Sequence, residues 1–130
     1  MNNYLRYLLA LIIGVISGST FIHIGVGTAI MVPLILLLGV IDDFKTTIGT
    51  ILIPVISPVT IFPIYEFYKH KLVYVKVGLF LAIGYFIGSY ITSKYFLNTF
   101  NSDTLYLLYG LFSMVVAVIF INKSKIFKKL

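Results

Sequence analysis

Cysteine is absent from the 130 residues, and only four acidic side chains, Asp42, Asp43, Glu66 and Asp103, stand against ten basic ones. The first absence excludes a disulfide framework, thiolate metal sites and cysteine nucleophiles, and leaves the redox compartment open. The second removes most routes to acid–base chemistry. No paired carboxylate, HExxH, P-loop or GxGxxG occurs, and no Ser/His/Asp set stands within reach of an aqueous pocket. All four acids fall at the edges of apolar stretches, so the intramembrane acid that couples drug export to protons is missing too. An enzyme is not expected, nor a cofactor or metal, and a primary ATP-driven pump is excluded for this chain alone.

Charge of either sign is scarce. Charged residues make up 11% of the chain and hydrophobic ones 60%, with a mean hydropathy of +1.07. A soluble domain carries about 25% charged residues, so this composition cannot cover a surface facing water. A soluble globular protein is excluded, and the lipid bilayer is the expected partner. The net charge of +6 comes from widely separated basic residues. They are too sparse for a nucleic-acid surface and suit the cytoplasmic flanks of membrane spans.

What is present is length without charge. No Asp, Glu, Lys or Arg occurs in 7–41, 46–65, 77–93 or 104–122. A helix rising about 1.5 Å per residue needs roughly 20 apolar residues to cross a hydrocarbon core. The last three blocks, with a few flanking residues, predict one span each over 46–65, 73–94 and 104–122. The first block is too long for one crossing and slightly short for two. Gly14, Gly18, Gly25 and Gly27 interrupt it, Pro33 follows, and His23 and Thr28 add polar groups at the same place. Irregular backbone at membrane depth is tolerated only when covered by protein or lining a cavity. The pattern predicts a helix over 4–22, a glycine-rich break at 23–28 and a half-helix over 29–41. The expected architecture is a single all-α membrane domain over 1–130, with four transmembrane segments, the first broken into a helix plus a short or re-entrant half-helix. A signal peptide would end near Ser17-Gly18-Ser19, yet the apolar character runs on to Val40, as in a retained span.

The basic residues set an orientation. The 66–76 connection carries Lys69, Lys71 and Lys76, and the tail carries Lys123, Lys125, Lys128 and Lys129. Both are expected on the cytoplasmic side, with 42–45 and 94–103 outside. Arg6 favours a cytoplasmic start, which would make 29–41 re-entrant; two full crossings would put the start outside.

Gly14-x-x-x-Gly18 and Gly84-x-x-x-Gly88 are small-residue pairs that let helices approach closely in lipid, and packing is their expected role. They also offer contact faces for a second copy. The stretch Ile24-Gly25-Val26-Gly27-Thr28 leads into a helix whose free N–H groups would attract an anion; a plain kink explains it as well. His23 could relay a proton or touch an anion, or be a neutral histidine hydrogen-bonded near the interface. In the second block Thr46, Thr47, Thr50, Ser57 and Thr60 alternate with Pro54, Pro58 and Pro63, so a kinked helix with freed carbonyls is expected. Tyr65, Phe67 and Tyr68 read as an interfacial aromatic belt.

The order of these features resembles one half of a sulfite exporter of the TauE/SafE family. The resemblance rests on the glycine-rich break, Val32-Pro33-Leu34-Ile35-Leu36-Leu37-Leu38-Gly39, then Thr47-Ile48-Gly49-Thr50 with Pro54, then Tyr65 and Tyr68 before a basic turn and Val75. Gly84-Tyr85-Phe86-Ile87-Gly88-Ser89-Tyr90 and Leu108-Tyr109-Gly110-Leu111-Phe112 continue it, so that it covers about residues 10–122. Where the family carries a three-glycine run, Val26 and Thr28 flank Gly27 here. The resemblance implies an integral membrane transporter, or half-transporter, for small anions such as sulfite or sulfonates. Because the family is usually built from two similar halves, it also implies a homo-dimer or a homologous half as partner. The motif positions Gly25, Gly27, Thr28, Pro33, Thr47, Gly49, Thr50 and Pro54 are the candidate substrate-binding residues. A non-transporting membrane scaffold or accessory subunit is the competing class. A self-assembling pore ranks below both, since no block shows a single polar stripe.

Overall fold

The computed structural model describes residues 1–96 and 98–126, apart from the side chains of Ile24, Val59, Ser102 and Tyr106. Lys128 and Lys129 of the basic tail lie outside the described residues. Six helices follow one another: α1 (Asn3–Ile24), α2 (Gly27–Leu37), α3 (Phe44–Ile51), α4 (Pro58–Lys69), α5 (Val75–Tyr95) and α6 (Ser102–Lys123), with no strand among the described residues. α1, α5 and α6 are long and apolar enough to cross a membrane, and α2 is a shorter apolar helix. The chain is an all-helical integral membrane protein. It divides into two compact units, Met1–Leu97 and Asn98–Leu130. The second is built on α6, which starts on an Asn101 side chain accepting from the Thr104 N–H at 2.9 Å. Asp103 in its first turn and Lys123 in its last complement the helix dipole.

Within the first unit α1 and α5 run side by side in the same direction. Tyr7 stacks on Phe80 with ring centroids 5.0 Å apart, and further along both helices the Ser19 hydroxyl donates to the Gly88 carbonyl at 3.4 Å. Between these points the glycines bring backbone against backbone. A Cβ at Gly14 would meet the Leu81 carbonyl and lie 2.8 Å from the Tyr85 nitrogen, and one at Gly88 would meet the carbonyl of Val15. Lipid tails are as apolar as leucine, so close van der Waals contact across such small residues is what holds two helices together there. The two glycine pairs therefore serve each other. The expectation that they present contact faces to a second copy is corrected: those faces are consumed inside the chain.

α1 stops because Gly25 takes a left-handed conformation, φ 71°, and donates its N–H back to the Phe21 carbonyl at 2.8 Å. This is the glycine ending in which only a residue lacking Cβ is unstrained. Val26 alone separates the cap from α2, which folds back along α1. Gly27 lies against Ser17 and Phe21, while Met31 and Ile35 reach the fully buried cluster around Ala10, Ile13 and Leu81. Val40 and Ile41 continue into the same core with Val77. The return passage is thus an 11-residue helix, about 16 Å long, completed by a turn over 38–40, in which Gly39 is left-handed at φ 66°, and the non-helical residues 41–43.

The second apolar block departs from expectation. It is not one kinked span over 46–65. α3 ends at Ile51, residues 52–57 turn, and α4 starts at Pro58. Pro54 has no N–H for the Thr50 carbonyl, which instead accepts from Ile53 at 3.2 Å, and Pro58 supplies the first residue of the next helix, where a missing N–H is harmless. The block also does not cross. The Thr50 hydroxyl accepts from the Tyr74 N–H at 3.1 Å, and a Cβ at Gly49 would meet the Leu72 carbonyl. Asp43 precedes Thr50 by seven residues, about 10 Å of helix, whereas the two ends of α5 are about 30 Å apart. The 42–45 and 66–76 connections therefore share one end of the unit, and placing them on opposite sides is corrected. The start of α1 joins them, since the Arg6 guanidinium lies 5.2 Å from the centre of the Tyr74 ring. The element that enters and leaves by one face is the α3–α4 hairpin rather than α2.

Candidate functional site

The eight candidate residues fall into two groups. Gly25, Gly27 and Thr28 belong to the break between α1 and α2. Gly25 is exposed and Gly27 buried; a Cβ on Gly27 would come within 2.7 Å of Phe21 Cβ, 2.8 Å of the Ser17 carbonyl oxygen and 2.9 Å of the Tyr85 ring. Val26 caps α2 without a side-chain acceptor, and the first backbone bond runs from the Ile30 N–H to the Val26 carbonyl at 3.0 Å. The N–H groups of Gly27, Thr28 and Ala29 accordingly have no acceptor within the helix. No acidic residue stands in that first turn.

Thr47, Gly49, Thr50 and Pro54 belong to the α3–α4 hairpin. Asp43 caps α3, its carboxylate accepting from the Thr46 hydroxyl at 2.7 Å and from the Thr46 N–H at 2.8 Å. The hydroxyl bond first, then the backbone bond, with a smaller contribution from Lys45, hold the Asp43 carboxyl below the usual carboxylate range. Thr47 donates to the Asp43 carbonyl at 2.9 Å and Thr50 to the Thr46 carbonyl at 2.7 Å. Both threonines are fully buried, with their protons engaged along their own helix. They act as tethers: Thr50 also binds α5 through Tyr74. Pro54 is half-buried in the turn, and Pro33 is buried midway along α2.

The structure does not bring the two groups into one shell. Gly27 lies beside Tyr85 and Thr50 beside Tyr74, eleven residues apart on the stretch that leads into and along α5. That is about 16 Å of helix, several times the length of a hydrogen bond. Sequence reasoning missed the residue that does join the glycine break. Ser17 is fully buried and its hydroxyl has no partner, while its backbone carbonyl faces Gly27. A serine beside a glycine in an apolar helix reads as small-residue packing, and nothing in the sequence marks its proton as unclaimed. His23 occupies the last turn of α1, where the carbonyl end of the helix favours a donor. Among the described residues no three His or acidic side chains gather where they could hold a metal ion.

A membrane-embedded unit with a broken helix, a buried glycine at the start of its second part and few fixed charges has the build of a secondary transporter. The family model described as sulfite exporter TauE/SafE matches residues 7–129, nearly the whole chain. The chain belongs to the TauE/SafE sulfite exporter family, a family of membrane transporters. No curated protein and no solved structure matches it.

Proposed function

We propose that the chain is one half of a transporter for small anions such as sulfite or sulfonates, completed by a second copy or a homologous half. The observation that carries this reading is the buried, unpartnered hydroxyl of Ser17, the residue whose backbone carbonyl abuts Gly27 at a helix start with no side-chain cap. A buried hydroxyl without a partner costs about 1–3 kcal/mol, which an oxyanion accepting from it would recover. Neutral donors replace water around the anion and still let it go; a fixed Arg or Lys at that depth would hold a divalent anion too tightly for release. In this reading Pro33 belongs to the wall of the path, and Thr47, Gly49, Thr50 and Pro54, with the two threonine protons kept by α3, shape its second stretch toward the lysine-rich end rather than donate to the anion. That end, with the C-terminal tail, faces the cytoplasm, and the membrane is the cell membrane.

The decisive measurement is flux in proteoliposomes, screened over sulfite, sulfate and short sulfonates. Gly27→Leu is a poor probe, because the added side chain strikes Phe21, Ser17 and Tyr85 whatever the function. Ser17→Ala leaves the packing untouched. It should weaken the apparent affinity for the transported anion roughly ten- to hundredfold, the loss of one hydrogen bond to a charged group. Flux by the native protein with Ser17→Ala indistinguishable from it would overturn the site. No flux of any anion from a correctly inserted, assembled protein would favour the scaffold reading instead. A strictly monomeric protein with full activity would overturn the half-transporter.

A further inference from the structure

At the end of the unit where α5 begins, a cleft of about 270 Å³ opens beside the first turns of α1 and α5, with Arg6, Tyr7, Tyr74, Val75, Lys76 and Val77 in its wall. Its size is just below the roughly 300–1,000 Å³ usual for ligand clefts. Two cations line it and no acid does. Among the described residues the ion pair is Lys69 with Glu66 at 3.6 Å, and neither Arg6 nor Lys76 has a carboxylate within ion-pair reach.

The Arg6 Nε is buried from solvent and has no acceptor. Its guanidinium rests over the Tyr74 ring at 5.2 Å, which engages the face of the cation but none of its in-plane N–H donors. A buried donor of a charged group left unpaired is expensive. The helix beside it is short of acceptors as well. α5 has no side-chain cap and no acid in its first turn. Tyr74 gives its N–H to Thr50, and the first helical bond runs from the Gly78 N–H to the Tyr74 carbonyl at 2.9 Å. The N–H groups of Val75, Lys76 and Val77, in the same wall as Arg6, thus have no helical acceptor. A guanidinium, an ammonium and a helix start converge on one small space at the end of two spans, the depth of lipid headgroups.

We infer that this cleft binds a phosphate group, held by Arg6, Lys76 and the start of α5. The same chemistry is offered by the headgroup of an acidic phospholipid and by free inorganic phosphate. The site stands apart from the glycine break and does not rest on the transport reading.

The test uses the full chain in nanodiscs of phosphatidylcholine, titrated with phosphatidylglycerol or with inorganic phosphate, read by the thermal unfolding midpoint and by native mass spectrometry. Phosphatidylglycerol should raise the midpoint and remain bound at one lipid per chain. Arg6→Gln and Lys76→Gln should each weaken that response about tenfold, while Lys71→Gln, outside the cleft, should leave it unchanged. A midpoint that rises with phosphate alone assigns the site to the free ion. Equal responses from all three variants, or no response to either probe, would overturn the assignment. Lys76 is exposed, so its variant keeps the test decisive if Arg6→Gln fails to fold.

Discussion

Replacing Gly88 by alanine tests the seam between α1 and α5 directly. The new methyl would meet the Val15 carbonyl oxygen, with the Val15 carbonyl carbon at 2.8 Å and Cα at 2.9 Å. These are backbone atoms of a hydrogen-bonded helix and cannot turn aside. Since ordinary carbon contacts begin near about 3.5 Å, the helices must part by roughly 1 Å, which forfeits about a quarter to a half of the dispersion contact along the seam. Overpacking of this kind costs about 1–3 kcal/mol, here at the upper end because neither side yields. Alanine's better helix propensity returns about 1 kcal/mol. The net loss is about 2 kcal/mol, up to roughly 30-fold in the folding equilibrium. Gly84 faces Leu11 and Val15 across the same seam, so helices already parted by one methyl accommodate a second more easily. The double variant Gly84→Ala with Gly88→Ala should therefore lose less than the sum of the single losses. Gly110→Ala is the control, because its Cβ would meet no atom within 4 Å and only the propensity gain remains. Unfolding by SDS in mixed micelles, followed by far-ultraviolet circular dichroism, measures all four. A Gly88→Ala protein as stable as the parent, or strictly additive losses, would refute the argument.

Gly25→Ala meets no neighbour but must hold φ 71°, and should cost about 1–2 kcal/mol in the same assay, with Gly25→Asn milder. Cysteines introduced at Asp42 and Lys71 should label from one side of the membrane and a cysteine at Lys94 from the other; opposite labelling of the first two would restore a crossing by 46–65. Because the Asp43 carboxyl is held below its ordinary range, its capping contribution is present above the unfolded-state value near about 3.9 and is lost as the pH falls through the lower folded-state value. The stability difference between the parent and Asp43→Asn should thus persist to about pH 4 and shrink only below it; a difference that vanishes near pH 6 would exclude the cap.

Three of the four charge-free blocks translate almost directly into helices. The expected 4–22, 73–94 and 104–122 become Asn3–Ile24, Val75–Tyr95 and Ser102–Lys123, and the break at 23–28 is the cap at Gly25 and Val26. The 46–65 block failed because apolar length measures how much chain is hidden from water, not whether it turns back. Pro54 and Pro58 announced a bend, but only the bond from Tyr74 to Thr50 reveals that the bend is complete. The glycine pairs were legible as packing surfaces, while the partner of each was not, since nothing local distinguishes a helix of the same chain from one of another. For the site, the glycines identify the break, yet the fate of each hydroxyl proton depends on tertiary neighbours. That is why Thr47 and Thr50 proved engaged and Ser17 unengaged.

The parallel seam of α1 and α5 joins residues as far apart as Ser19 and Gly88. At about 5–20 residues per second of synthesis, the second helix leaves the ribosome several seconds after the first. During that interval the small-residue face of α1 must rest against lipid or a helper, with only the returning α2 for cover. Slow elongation or a stall between the two helices would lengthen this exposure, so the protein's yield should depend on how steadily the middle of its message is read.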